Sequence, residues 1–372
     1  MINILVAGDF SPRENLNNLI VSGNYNDAFN EIKDLNNRMD YSVVNFESTV
    51  TNDTCCPIEK NGPNLKCTPK SISFLKWAGF DMLTLANNHF FDYGDCGVCE
   101  SLKIIKENGM DYVGAGYNLT TASKTLFKKI KGSVFAFINC CEHEFSIATN
   151  NRGGCNPLNP ISQYYAIKQA REKADYVVVI VHGGHEHYQL PSTRMQEAYR
   201  FFVDSGADAV VNHHQHCYSG YEFYESKPIV YGLGNFCFDN EREMPPTWYE
   251  GYAVQLIFNQ NKIDIQLHPY VQCKDDLSVK FLINQEEFEK QIRALNSIIL
   301  EEDKLRQANE NYYASQLKDS IKPFLPYKGR ILNALYNRGI LPCVLNHKKE
   351  YLQNKILCES HLDILQYCIK NI

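Results

Sequence analysis

A chain of 372 residues, 44% hydrophobic and 22% charged, has the balance of a globular protein and enough material for a large core. A net charge of -6 and a pI near 6.0 exclude a protein that holds nucleic acid through a basic surplus. No run approaches the roughly 20 apolar residues that span a bilayer.

The chain opens with MINILVAGDF, which lacks the charged segment, longer apolar run and cleavage site of an export signal. With fourteen cysteines, this predicts reduced thiols in a cytoplasmic protein. Cys55-Cys56, Cys96-x-x-Cys99 and Cys140-Cys141 lack the second matched pair of a zinc ribbon and read as small apolar side chains. In chain order, NILVAG, YSVVNF, MLTLA, SVFAFIN, YVVVIV, DAVV, PIVYG and YAVQLIF read as strands. Helices fall between several of them. TPKSISFLKWAGF offers Thr68 as N-cap, Pro69 at the first helical position and Gly79 near the end. Residues 161–174 form a second helix, and PSTRMQEAYRFFVDSGAD a third that stops at Gly206. The alternation predicts an α/β core with covered sheets. Ile229 to Val271 carries strands without a helix between them, which predicts antiparallel pairing at the end of the core. From about Gln285 the sequence turns charged and helix-like, punctuated by Pro323, Pro326 and Pro342. A boundary near residue 280 therefore separates a domain over 1–280 from a helical extension over 281–372.

The polar residues that need explaining all stand where an apolar strand stops. Asp9 follows ILVAG, and Glu47 follows YSVVNF. Asn87, Asn88 and His89 follow MLTLA; His182 follows YVVVIV. His213, His214 and His216 follow DAVV. In an open α/β sheet the loops at carboxyl ends of strands build the ligand site. Singly, each residue has a plainer reading: a cap, a solvated strand end, a turn or a structural histidine. Their recurrence at successive strand ends favours one shared site. Carboxylate and imidazole together suit Zn, Mn or Fe. A bridging carboxylate can hold two cations about 3.5–4 Å apart. In an extended segment His214 and His216 share one side, which makes them the candidate ligands and leaves His213 to packing.

The stretches GDF, NFEST, LANNHFFDYG, HGGHE, DSGADAVVNHHQH and IVYGLGNFCFD occur in the order expected of the CapA family. Over about residues 1–270 the chain resembles these poly-γ-glutamate capsule biosynthesis proteins, whose fold resembles the calcineurin-like metallophosphoesterases. The resemblance implies a layered α-β-β-α sandwich with a helical C-terminal extension. It implies metal ligation by Asp9, Glu47, Asn88, His182, His214 and His216, with Glu47 as the bridging acid. His89 then donates a proton to the leaving group, Asp92 orients it, and Glu186 serves the substrate. Asn235 fixes a loop beside the site. Two positions depart from the phosphoesterase pattern: Ser11 stands where a ligand histidine is common, and Asn212 replaces a glycine. One ion, two ions or a metal-free protein are all compatible with that set.

Three functions follow. The first is a metal-dependent hydrolase that cleaves a phosphoester or an amide, such as a link of a polyglutamate-like polymer, with metal-activated water. The second is a non-enzymatic assembly factor that docks to a polymer-synthesis complex through its C-terminal helices. The third is a metal-independent peptide epimerase that uses the same residues as acids and bases.

Overall fold

The structure, a computed structural model, describes residues 1–372 except Asp53, Glu241, Asn261, Lys322, Pro323, Lys328, Cys343, Val344, Asn346, His347, Lys348, Asn371 and Ile372. Pro323, one of the expected helix breaks, thus lies outside the described residues. The chain begins with β1 (Ile2–Phe10), α1 (Glu14–Ser22), α2 (Asn26–Asn36), β2 (Tyr41–Phe46), α3 (Lys70–Trp77), β3 (Met82–Thr84), α4 (Gly94–Glu107) and β4 (Asp111–Val113). It continues through β5 (Leu126–Ile130), β6 (Ser133–Cys141), α5 (Pro160–Arg171), β7 (Tyr176–His182), α6 (Thr193–Ser205) and β8 (Ala209–His213). β9 (Tyr221–Tyr224), β10 (Lys227–Val230), β11 (Asn235–Cys237), β12 (Glu250–Asn259), β13 (Lys262–Gln272), β14 (Val279–Phe281) and α7 (Glu286–Ile299) follow.

Two sheets carry the fold. The first has the order β14-β13-β12-β1-β2-β3-β4, with β11 running parallel to the end of β1. The second has the order β9-β10-β8-β7-β6-β5. The central pairs β1–β2, β2–β3, β6–β7 and β7–β8 are parallel. Strands of this kind are covered on both faces, which is why they read as unbroken apolar runs. The period of two sorts their side chains between layers. Ile4, Val6, Val43 and Met82 meet Phe135, Phe137, Val178, Ile180 and Val211 of the second sheet. Leu5, Ala7, Val44 and Leu83 point the other way, onto Leu16, Phe29, Phe74, Leu75 and Leu102 of the helices. On the far face of the second sheet, α5 packs on β6 and β7, and α6 on β8 and β10. The layers are helix, sheet, sheet, helix.

The expected strand-only run after Ile229 serves both sheets. β10 pairs parallel to β8, whereas β12 and β13 form a ten-residue antiparallel ladder in the first sheet. The first compact unit extends to Arg306 and the second covers Gln307–Ile372. α7, which the boundary near 280 assigns to the extension, therefore lies in the first unit. Its Phe288 and Ile292 enter the inter-sheet core, with Phe288 packed on Tyr218 and Tyr252. The second unit is helical, containing Arg330–Asn337, Lys349–Leu357 and Glu359–Lys370. Among the described residues, no helix is long and apolar enough to cross a membrane.

Three local expectations need correction. Thr68 does not cap α3: its hydroxyl has no partner, and the helix begins after Pro69 without a side-chain cap. Ser192, by contrast, caps α6 by accepting the Met195 amide, and Gly206 ends that helix at φ 118°. His214 and His216 are not on an extended segment. β8 ends at His213, and the two residues lie in the left-handed region at φ 94° and 55°. That conformation is costly for a side chain with a Cβ and collects at functional sites. Finally, the thiols are not all reduced, since Cys55 and Cys96, 41 residues apart, form a disulfide. The coil after β2 folds back onto the first turn of α4, a proximity that spacing along the chain does not reveal.

Candidate metal centre

The strand ends of both sheets converge on one point. Asp9 leaves β1 beside Asn45 of β2, and Glu47 follows β2. Close approach makes this geometry depend on Gly8, where a Cβ would stand 2.0 Å from the Gly234 carbonyl oxygen as β11 passes. Asn88 and His89 follow β3. His182 ends β7 in register with His213 of β8. His213 turns into the space between the sheets, where its Nε2 donates to the Ala7 carbonyl at 3.0 Å.

Glu47 stands in the middle. With His182 and His214 it forms one group able to hold a cation; with Asp9 and His216 it forms a second. In the first, His182 Nε2 lies 3.0 Å from Asn88 Oδ1, 3.0 Å from His214 Nδ1 and 3.7 Å from Glu47 Oε1. In the second, His216 Nε2 lies 3.7 Å from Glu47 Oε1, and Asp9 Oδ2 lies 3.6 Å from His216 Nδ1. Asn235 Oδ1 accepts from His216 Nδ1 at 2.9 Å, which leaves Nε2 with its lone pair toward Glu47. Asn45 donates to Asp9 Oδ1 at 2.7 Å and lies 3.2 Å from His182 Nδ1. Ser11 is buried, and its Oγ has no hydrogen-bond partner.

These residues fit a cation on two counts. Both oxygens of Glu47 are buried without a hydrogen-bond partner. A buried carboxylate in that state is expensive unless something positive meets it. The electrostatics agree in sign. Burial, with Asp9 and three further acids nearby, pushes Glu47 well above the ordinary carboxylate range. Burial likewise raises Asp9 to about 7, against the pull of the Asn45 and His214 donors. Burial lowers His214 to about 4 and His216 to about 3, and lowers His182 as well. Imidazoles held neutral are in their ligand form, and the acids lack a charge that a divalent cation would supply.

Beside this centre His89 Nδ1 donates to Asp92 Oδ2 at 2.7 Å, while Leu65 donates its backbone N–H to the same oxygen at 2.7 Å. Lys60 completes the arrangement, with Nζ 2.5 Å from Asp92 Oδ1 and 3.2 Å from His89 Nδ1. Sequence reasoning missed Lys60, which sits 29 residues before His89 in a coil without periodicity. It also missed Glu144, whose Oε1 lies 3.7 Å from His214 Nε2 and whose Oε2 accepts from Asn88 at 3.3 Å. Glu186 and His187 are exposed and line a cavity of about 660 Å3 together with His89, His216, Arg13 and Arg242. Asn212, the departure from glycine, donates to the Gly183 and Tyr231 carbonyls at 2.9 and 3.0 Å and accepts from Tyr199 at 2.7 Å. It stitches the loop after β7 to that after β10.

The sequence model of the bacterial capsule synthesis protein family PGA_cap matches residues 3–240. The capsule biosynthesis protein CapA of Bacillus anthracis is 30% identical over 246 residues, 64% of this chain and 60% of that protein. The PGA biosynthesis protein CapA of Bacillus subtilis is 35% identical over 204 residues, 54% of this chain and 53% of that one. The chain thus matches just over half the length of these relatives. Among solved structures, a hypothetical protein of Thermus thermophilus aligns at 16% identity and a TM-score of 0.47, over 73% of this chain and 99% of that one. A 5'-nucleotidase precursor of the same organism aligns at 12% identity and a TM-score of 0.42, over 75% and 54%.

Proposed function

Because the chain belongs to the PGA_cap family of bacterial capsule synthesis proteins, we propose that it is a metal-dependent hydrolase serving the production of a capsule-type polymer. The bond cleaved is a phosphoester or an amide. The observation that carries this reading is the orphaned Glu47 carboxylate, common to both candidate groups. Asn88, His182 and His214 would hold one cation with Glu47, and Asp9 and His216 a second, less completely ligated one. Bound cations would polarise the substrate oxygen and lower the pKa of water.

The protein's own residues do the rest. Asp92 accepts from His89 Nδ1 and so leaves Nε2 for the leaving group. Lys60 pairs with Asp92 at a place where both side chains are buried. Asn235 and Asn45 hold His216 and Asp9 in their ligating orientations. Asn88 and His214 share the neighbourhood of Glu144, a partly exposed acid that desolvation raises above its ordinary value.

Metal content measured on protein purified without chelator or affinity metal tests the reading directly. Wild type is expected to carry Mn, Zn or Fe, and His214→Ala to lose most of it. Equal and negligible metal in both proteins overturns the mechanism. His89→Ala gives the complementary result. Its metal content should match wild type while turnover falls by about 10² to 10⁴, the usual contribution of a positioned acid. Metal loss in that variant would instead make His89 part of the ligand shell.

A further inference from the structure

Two ligands of the first candidate group end, on their outer sides, at one carboxylate. Asn88 presents Oδ1 to His182 Nε2 at 3.0 Å, and its Nδ2 donates to Glu144 Oε2 at 3.3 Å. His214 presents Nδ1 to the same His182 nitrogen at 3.0 Å, and its Nε2 lies 3.7 Å from Glu144 Oε1. Glu144 thus stands behind an amide from the loop after β3 and an imidazole from the turn after β8, with one oxygen for each. It belongs to neither segment. The stretch after β6 that carries it is itself tied down on both sides. Glu142 Oε2 accepts the Gly184 amide at 3.1 Å, and Ser146 Oγ accepts the Phe91 amide at 3.1 Å. Alternate side chains at 142, 144 and 146 therefore reach the loop after His182, the Asn88–His214 pair and the loop of His89.

We infer that Glu144 is a positioning residue for the first candidate cation, fixing the amide face of Asn88 and the tautomer of His214 at once. The inference rests on the metal-dependent reading of this site and adds what sets two of its ligands in their ligating form. An ionised carboxylate only accepts hydrogen bonds. An amide beside it must turn its NH2 outward, which leaves Oδ1 for a cation. The flipped amide would set oxygen against oxygen and two N–H groups against the metal. An imidazole beside it keeps its proton on Nε2, which leaves the Nδ1 lone pair facing inward. The second group is held differently, since Asp9 and His216 depend on Asn45 and Asn235. Loss of Glu144 should therefore act on one cation and spare the other.

Zinc titration against a chromogenic chelator tests this on stripped wild type, Glu144→Gln and Glu144→Ala, with thermal unfolding of the metal-free proteins alongside. Glutamine keeps one acceptor for Asn88 and loses the charge at His214, so the first equivalent should bind about tenfold more weakly. Alanine removes both contacts and should cost about a hundredfold, the upper range for an outer partner of metal ligands. A weaker second equivalent should be the same in all three proteins. The metal-free proteins should unfold together, because a substitution at the solvent edge changes stability little. An unchanged first affinity in both variants overturns the positioning role. So does a fall in metal-free stability that accompanies the lost affinity, which makes Glu144 a residue of the fold alone. Wild type that takes up no zinc overturns both this role and the hydrolase reading. The expected contrasts without metal-dependent cleavage of a chromogenic phosphoester or a γ-glutamyl peptide overturn the hydrolase reading and leave the positioning role standing.

Discussion

Glu47→Gln is expected to remove most of the bound metal and about 10³-fold or more of metal-dependent turnover. Loss of an outer-sphere partner costs roughly ten- to a hundredfold in metal affinity or activity. Glu47 is common to both candidate groups, so its loss acts on both at once. The metal-free proteins should show the opposite order of stability. The folded-state pKa of Glu47 is raised above its ordinary 4.5, so its carboxyl suits the fold best when protonated. The metal-free wild type therefore has its full stability below about pH 4.5 and loses stability as pH rises through the higher folded value. The glutamine variant has no such titration and should be the more stable at pH 7. Denaturant unfolding of chelated proteins at pH 4 and pH 7 reads the difference. A chelated glutamine variant less stable than wild type at pH 7 contradicts the account of Glu47 as an acid awaiting a cation.

Lys60→Met is expected to destabilise the fold by about 3–5 kcal/mol, the cost of breaking a buried pair from one side. The Lys60 and Asp92 side chains are 2% and 0% exposed, so solvent screens neither. Removing the ammonium leaves Asp92 with the Leu65 N–H and His89 as partners. Adding Asp92→Asn should restore most of the loss, because the uncompensated charge goes with it. Thermal unfolding of the two single variants and the double variant forms the cycle. A single-variant loss below about 1 kcal/mol, the range of exposed pairs, would remove Lys60 from this role.

Much of the sheet framework is legible in residue order, because parallel strands covered on both faces leave unbroken apolar runs. Each of the eight expected strand segments overlaps a strand of the two sheets. The convergence of Asp9, Glu47, Asn88, His182, His214 and His216 is approachable for the same reason, since each follows such a run. What escapes is set by tertiary proximity. Lys60 and Glu144 sit in loops whose course no periodicity fixes. Thr68 has the composition of a cap, yet Pro69 takes the cap position with an αR backbone. Residues 286–299 look like a charged tail, and only three of their side chains, Phe288, Ile292 and Ile299, are buried. Those three are enough to bind the helix to the first unit. Strand alternation predicts a shared orientation for His214 and His216, which arises instead from two left-handed residues.

The Cys55–Cys96 cross-link makes the order of the cleft wall a function of thiol chemistry outside it. The bond ties the coil that carries Lys60, Asn64 and Leu65 to the first turn of α4. Closing a loop with a separation of 41 residues lowers the entropy of the unfolded chain by an amount corresponding to about 4 kcal/mol. Cys56 and Cys99 are free and exposed, each close in sequence to one of the bonded pair. Thiols so placed can attack a neighbouring disulfide and pass the bond along. In an oxidising medium that wall is stapled; in a glutathione-rich one it keeps the Lys60–Asp92 pair, the Leu65 N–H bond to Asp92 and the Thr49–Leu65 and Thr51–Cys67 backbone bonds.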